Sequence, residues 1–246
     1  YYNNSIRLVI ISATMDPDEF RYRRYYRDIN DNRLLPFNLM LKEENLDRIN
    51  VDRRIHISAP GTTSRYVIKD NFLPNINDIE LIKSIISSSS DGNILYFLPG
   101  KPEIDKKIEE LNKILPPNIL AVPLHSKIST FQRKLIQNLH NDIYNIKTNR
   151  FVSFYDLTEE NIGKGTSSYN RAIIVSTNIA EASITLQGLK YVIDTGTQKV
   201  LIYDPKKNVS SIVLKPITEA SRLQRRGRVG RRGSGEVFYL YPLEMT

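Results

Sequence analysis

NILYFLPGKPEIDKKIEELNKILPPNILAVPLH, residues 93–125, joins two different periodicities. NILYFLP (93–99) is an unbroken apolar run of strand length, as expected of a strand buried on both faces. KPEIDKKIEELNKIL (101–115) turns to helical spacing, with Pro102 near the start, where a missing N–H costs nothing. ILAVPLH (119–125) is apolar again. INDIELIKSIISS (76–88) lies before this unit, and Asn77 is its expected N-cap. A helix beginning near Ser129-Thr130 and running to about Leu139 lies after it. RAIIVST (171–177) and YVID (191–194) supply two further strands. Strands alternating with helices predict an α/β protein with a parallel sheet flanked by helices.

Outward from this core, KVLIYDP (199–205) and SIVLKPI (211–217) read as a hairpin or meander. Thr218 and Glu219 cap the next helix, and EVFYLYP (236–242) closes as an edge or final strand. Upstream, Ala59-Pro60-Gly61 separates RIHIS (54–58) from RYVIKDNF (65–72), which places a domain boundary there. Two domains are expected, 1–60 and 61–246. RLVII (7–11) runs into Ser12-Ala13-Thr14, small residues at the carboxyl edge of a sheet, so the chain is expected to begin inside a domain. Residues 16–54 are charged and tyrosine-rich. RYRRYYRDINDNR (21–33) suits either nucleic-acid stacking or a solvated helix with inward tyrosines. Residues 141–170 break the rhythm and read as an insertion or mobile loop. Gly163-Lys164-Gly165-Thr166 within it lacks phosphate-loop spacing and follows no clear strand.

Composition narrows the function. Thirty-five basic against 27 acidic side chains give a net charge of +8 in 246 residues, which favours a polyanionic partner such as nucleic acid or a nucleotide. The absence of cysteine excludes thiol catalysis, disulfides and cysteine-ligated zinc. His56, His125 and His140 lack metal-site spacing and are expected to be structural or on the surface, so no metal ligand is assigned. No apolar run reaches the ~18 residues of a membrane span. An intracellular, soluble protein without membrane contact is the expectation.

QRRGRVGR (224–231) then sets four arginines and two glycines in eight residues. Guanidinium forks suit phosphate oxygens. If the segment is helical, Arg225, Arg228 and Arg231 share a face. A solvated basic helix or a general nucleic-acid patch is the simpler alternative.

Four segments in order resemble the motifs of superfamily 2 helicases, above all the DEAH-type group and its poxviral and flaviviral RNA helicase relatives. Ser12-Ala13-Thr14 resembles motif III, and residues 93–105 resemble motif IV. STNIAEASITL (176–186) with VIDTG (192–196) resembles motif V and the strand after it. QRRGRVGR resembles motif VI. The resemblance implies a second RecA-like helicase domain preceded by the tail of the first. It implies that Gln224 orients the attacking water or touches the terminal phosphate, while Arg228 and Arg231 contact the β- and γ-phosphates as catalytic groups. Ser12, Thr14, Glu181, Ser183, Asp194, Gly196 and Arg225 are set on the nucleotide side. For Arg225, as for Arg226, a salt bridge or backbone contact is the expected bond. Ser176, Thr177 and Asn178 are set against the nucleic-acid backbone, a contact that positions a strand without reading its sequence.

ATP or another NTP with Mg²⁺ is the implied cofactor, and single-stranded RNA or DNA and the N-terminal RecA-like domain are the implied partners. Residues 1–246 contain no Walker A sequence and no Asp-Glu-x-His/Asp box before Ser12. The Mg²⁺ ligands are therefore expected outside this chain, and the chain alone is expected to be inactive as an NTPase. A pure nucleic-acid-binding module and a regulatory RecA-like platform remain the competing readings.

Overall fold

The computed structural model describes residues 66–148, 153–182, 184–205 and 208–243. Six strands form one all-parallel sheet: β1 (Ile68–Phe72), β2 (Asn93–Phe97), β3 (Ile119–Leu124), β6 (Arg171–Ser176), β7 (Leu189–Asp194) and β10 (Gly235–Tyr239). Their spatial order is β1-β10-β7-β2-β6-β3. Helices α1 (Asp78–Ser88), α2 (Lys101–Ile114) and α3 (Thr130–Gln137) connect or follow the first three strands.

The apolar runs fill both faces of the sheet by simple alternation. Leu95, Phe97, Val122, Ile174 and Val192 enter one core. Ile94, Tyr96, Ala121, Ile173 and Ile193 enter the other, where α1 and α2 add Ile82, Ile85, Ile104 and Leu111. Local signals set the helix starts. Asn77 Oδ1 accepts from the amides of Ile79 (2.9 Å) and Glu80 (3.2 Å). Ser129 and Gln132 close a reciprocal capping box at α3, each bond 3.1 Å long.

The structure decides two points that the sequence left open. Of the two readings of EVFYLYP, final strand holds and edge does not: β10 is the last strand among the described residues and lies between β1 and β7. Its inward residues Val237 and Tyr239 are fully buried, whereas the polar sequence IKDNF of β1 suits the exposed edge. The arginine motif is also not one helix. The helix α6 (Glu219–Arg226), capped by Thr218, ends at Gly227. Gly230 then takes φ +75°, a left-handed turn that glycine adopts without strain. Arg225, Arg228 and Arg231 consequently share no face.

The described residues of 141–170 give no strand to the main sheet. They hold the four-residue helix α4 (Leu139–Asp142, overlapping their start), two 3-10 turns (Ile143–Asn145 and Phe154–Asp156) and an antiparallel pair, β4 (Lys147–Thr148) with β5 (Ser167–Ser168). The amides of Gly163 and Gly165 both donate to the Lys147 carbonyl (3.1 and 3.2 Å), an internal use unlike a phosphate cradle. The expected hairpin is present as β8 (Thr197–Asp204) and β9 (Val209–Pro216). It forms its own two-stranded sheet, with Leu201, Ile212 and Leu214 more than half exposed.

Candidate functional site

The sheet register builds one row across the whole fold: Phe72, Tyr239, Asp194, Phe97, Ser176 and Leu124 are successive partners. The residues following this row line the carboxyl edge, where open α/β sheets place ligands. Ser176 is fully buried. Its hydroxyl donates to the carbonyls of Leu124 (3.1 Å) and Thr177 (2.9 Å), so its bonds serve the sheet edge itself. Thr177 is half-buried and Asn178 exposed; they open the short helix α5 (Ile179–Ala182).

From α5, Glu181 reaches back to α6. Its Oε1 accepts from Arg225 Nε (2.7 Å) and from Ser221 Oγ (2.6 Å). Arg225 is 1% exposed and also donates through Nη1 to Asp194 Oδ1 at 2.6 Å. Asp194 further accepts from the Gly196 amide (2.8 Å) and from Tyr241 Oη (3.1 Å). The Arg225 guanidinium lies 4.7 Å from the Phe97 ring centroid. One buried cation thus joins two carboxylates from separate parts of the sheet, the pairing that burial of a charge demands. Burial and the Asp194 charge push the Tyr241 hydroxyl far above the ordinary tyrosine range, keeping it a donor.

The remaining arginines point elsewhere. Arg226 grips Asp70 on β1 with three bonds of 2.9–3.0 Å, and Tyr239 Oη adds a fourth at 2.9 Å. Burial raises Asp70, but the bonds from Arg226 and Tyr239 outweigh it and hold the carboxyl below its usual range. Arg228 is buried. Its Nη1 donates to the Ile184 carbonyl (3.0 Å) and its Nη2 to that of Glu181. Burial and the nearby Arg231 charge lower Arg228 to about 10, so it stays cationic at neutral pH. Arg231 is exposed, with Nε donating to the Gly227 carbonyl at 2.9 Å. Gln224 is half-buried in the last turn of α6.

The structure therefore brings Glu181, Asp194, Gly196 and Arg225 into one buried network, with Arg228 against the same α5 segment. Ser12, Thr14 and Ser183 lie outside the described residues. Among the described residues there is no group of three or more acidic or histidine side chains suited to a metal ion, and no helix is long and apolar enough to cross a membrane.

Sequence reasoning did not reveal a second polar cluster at the same edge. Lys101 and Asp105, one helical turn apart on α2, are joined there by His125 and Tyr155 from distant parts of the sequence. Beyond the i, i+4 spacing of Lys101 and Asp105 on the predicted helix, no local pattern announces the cluster; the sole further hint is a histidine at the end of an apolar strand.

A family model described as the helicase conserved C-terminal domain matches residues 77–233. A protein of Acanthamoeba polyphaga mimivirus, named "Putative ATP-dependent RNA helicase R366", is 46% identical over 259 residues, covering 99% of this chain and 14% of that protein. The ATP-dependent RNA helicase HrpA of Escherichia coli is 30% identical over 156 residues, covering 63% of this chain and 10% of HrpA. This chain thus spans a small part of the length of the relatives it matches. Two crystal structures of E. coli HrpB superpose with TM-scores of 0.53 and 0.54 at 22% and 24% identity, over 73% and 74% of this chain and 20% and 21% of those chains. At that identity the likeness carries the fold alone.

Proposed function

This chain belongs to the helicase conserved C-terminal domain family as a C-terminal half of the superfamily 2, DEAH-like kind, and from that premise we propose that it serves an ATP-dependent RNA helicase. In this reading residues 61–246 are the second RecA-like domain and residues 1–60 the tail of the first. The domain supplies one wall of a composite ATP site and one wall of a single-strand track.

The observation that carries the reading is the bond between Glu181 and Arg225. Glu181 lies on the short helix that Thr177 and Asn178 open, and Arg225 lies in the motif that ends in Arg231. A strand contact and a phosphate contact are thereby held on one buried ionic hinge, which lets a displacement at either end be felt at the other. Thr177 and Asn178 offer polar groups to the strand backbone, and Ser176 supports them from within the sheet. Asp194, Gly196 and Arg225 hold the network rather than touch the nucleotide, and Ser12, Thr14 and Ser183 keep the nucleotide-side roles the family motifs imply.

ATP fits the charge of the wall: the exposed Arg231 and the half-buried Gln224 would meet its terminal phosphates, where bound Mg²⁺-ATP supplies the transferable phosphoryl group. Arg231 would neutralise charge that develops in a loose transition state. Arg228, committed to the carbonyls of Glu181 and Ile184, would keep α5 seated behind that wall and add its charge to the same phosphate-facing side. The metal ligands would come from elsewhere in the full-length protein.

The test is RNA-stimulated ATP hydrolysis by the full-length protein, wild type against Arg231→Ala. A loss of roughly 10³-fold in kcat with RNA affinity retained supports the motor reading. Unchanged hydrolysis with weakened RNA binding would instead make the arginine cluster a grip on nucleic acid.

A further inference from the structure

The turn Phe154–Asp156 belongs to the segment 141–170, whose described residues give no strand to the main sheet, yet it is firmly seated. Phe154 and Leu157 are buried at 4% and 3% exposure. The Gln132 side-chain amide donates to the carbonyls of both Phe154 (3.2 Å) and Tyr155 (2.8 Å). Ser153 Oγ caps the turn by accepting from the Tyr155 amide at 3.3 Å. These anchors aim one side chain, Tyr155, at the carboxyl edge of the sheet.

There it closes a hydrogen-bond chain whose direction follows from its first link. The Lys127 amide donates to His125 Nδ1 at 3.1 Å, so Nδ1 carries no proton and Nε2 carries one. His125 Nε2 therefore donates to Tyr155 Oη, 2.9 Å away. The tyrosine hydroxyl in turn donates to Asp105 Oδ1. The other carboxylate oxygen of Asp105 takes Lys101 Nζ. Burial, Lys101 and Lys127 lower the His125 pKa, outweighing the opposing Asp105 charge, which agrees with a neutral ring.

Lys101 meets Tyr155 a second time, because its Nζ lies 5.2 Å from the tyrosine ring centroid. An ammonium over an aromatic face is held by the ring quadrupole. With its carboxylate partner and the ring both fixed, a flexible four-carbon stem is confined to one position. The Lys101 side chain is still 41% exposed, and an ammonium has three N–H groups, so donors remain for a phosphate oxygen. Lys101 opens α2 shortly after β2 ends at Phe97, and in the sheet order β6 lies beside β2 with β3 next beyond it.

We propose that Tyr155 is a positioning residue of the single-strand track: its hydroxyl and ring together hold Lys101 where it contacts a phosphate of the bound strand. This rests on the reading above that the sheet edge carries the strand. Asp105, satisfied on one oxygen by Tyr155, holds Lys101 by the other alone. Without the hydroxyl the carboxylate is free to turn both oxygens to the lysine and draw it off the edge.

The experiment measures single-stranded RNA affinity of the full-length protein against salt concentration, and the RNA concentration that half-saturates ATP hydrolysis. The variants are Lys101→Ala, Tyr155→Phe, Tyr155→Leu and the double changes with Lys101→Ala. Lys101→Ala is expected to reduce the salt slope by about 0.7, one phosphate contact on a single strand. Tyr155→Phe, which keeps the ring, is expected to weaken binding roughly 3- to 10-fold, and Tyr155→Leu further. Both should raise the half-saturating RNA concentration while kcat at saturating RNA holds, and neither should weaken binding once Lys101 is alanine. Equal losses with and without Lys101 would overturn the positioning role while leaving the strand-edge reading intact. An unchanged affinity and salt slope in Lys101→Ala would remove the strand contact at this edge, and this inference with it.

Discussion

Glu181 Oε1 and Arg225 Nε, 44 residues apart in the chain, stand 2.7 Å from each other in the interior of the fold. The pair ties the segment after β6 to the helix before β10, and Asp194 extends it to the end of β7.

Removing the cation from this network should be costly. Arg225→Ala leaves the buried Asp194 carboxylate and the mostly buried Glu181 carboxylate without their common partner. We expect a loss of about 3–5 kcal/mol in unfolding free energy, read from urea denaturation of the 246-residue chain. Arg225→Lys should recover only part of it, because one ammonium cannot present a planar fork to both carboxylates. A loss no larger than that of an ordinary surface substitution would contradict the geometry.

Arg228 and Arg231 should separate cleanly in a stability assay. Arg228→Ala strips buried donors from the Glu181 and Ile184 carbonyls and should destabilise by about 1.5–3 kcal/mol. Arg231→Ala should leave the urea midpoint unchanged, since its guanidinium is exposed. Similar midpoint shifts for both would show that the two arginines share one environment.

Gly196 sits at φ +69°, and a Cβ there would come within 2.4 Å of the Tyr241 ring. Gly196→Ala therefore combines a backbone penalty with a clash against a buried ring. The expected cost is about 2 kcal/mol or more, visible as a lowered melting temperature. A melting curve that overlays the wild type would refute it.

Acid should weaken the chain partly through Asp70. Its folded pKa lies below the ordinary 3.8, so the unfolded state binds the proton more readily. The stabilisation is fully present above 3.8 and is lost as pH falls through the folded value beneath it. Asp70→Asn should lower stability at neutral pH and flatten its decline between about pH 5 and about pH 2. Asp78, Glu103 and Asp105 are lowered in the same direction, so a residual slope remains. An unchanged slope in Asp70→Asn would show that Arg226 and Tyr239 contribute nothing through this carboxylate.

Much of the fold was legible from local pattern. NILYFLP and RAIIVST announce strands buried on both faces because no polar residue interrupts them, and Asn77, Ser129 and Thr218 mark helix starts by their own side-chain bonds. The hairpin from Thr197 to Pro216 was legible as a hairpin or meander from its two short apolar runs parted by a polar break. The position of β10 was not: an apolar strand at the end of a chain reads equally well as edge or interior, and only the polar character of its partner β1 decides which of them faces solvent.

The candidate site divides along the same line. By itself the sequence determined the order of the motifs, the charge, and which residue types could meet a phosphate. Only the tertiary structure decided where each arginine points. Gly227 ends the helix and Gly230 reverses the chain, so three arginines at equal spacing point to a buried carboxylate pair, to two backbone carbonyls and to solvent. Arg225 meets Asp194 across 31 residues, and Tyr155 meets Asp105 across 50. Contacts of that range leave no periodic trace, because register and packing of the whole sheet, not local spacing, bring the partners together.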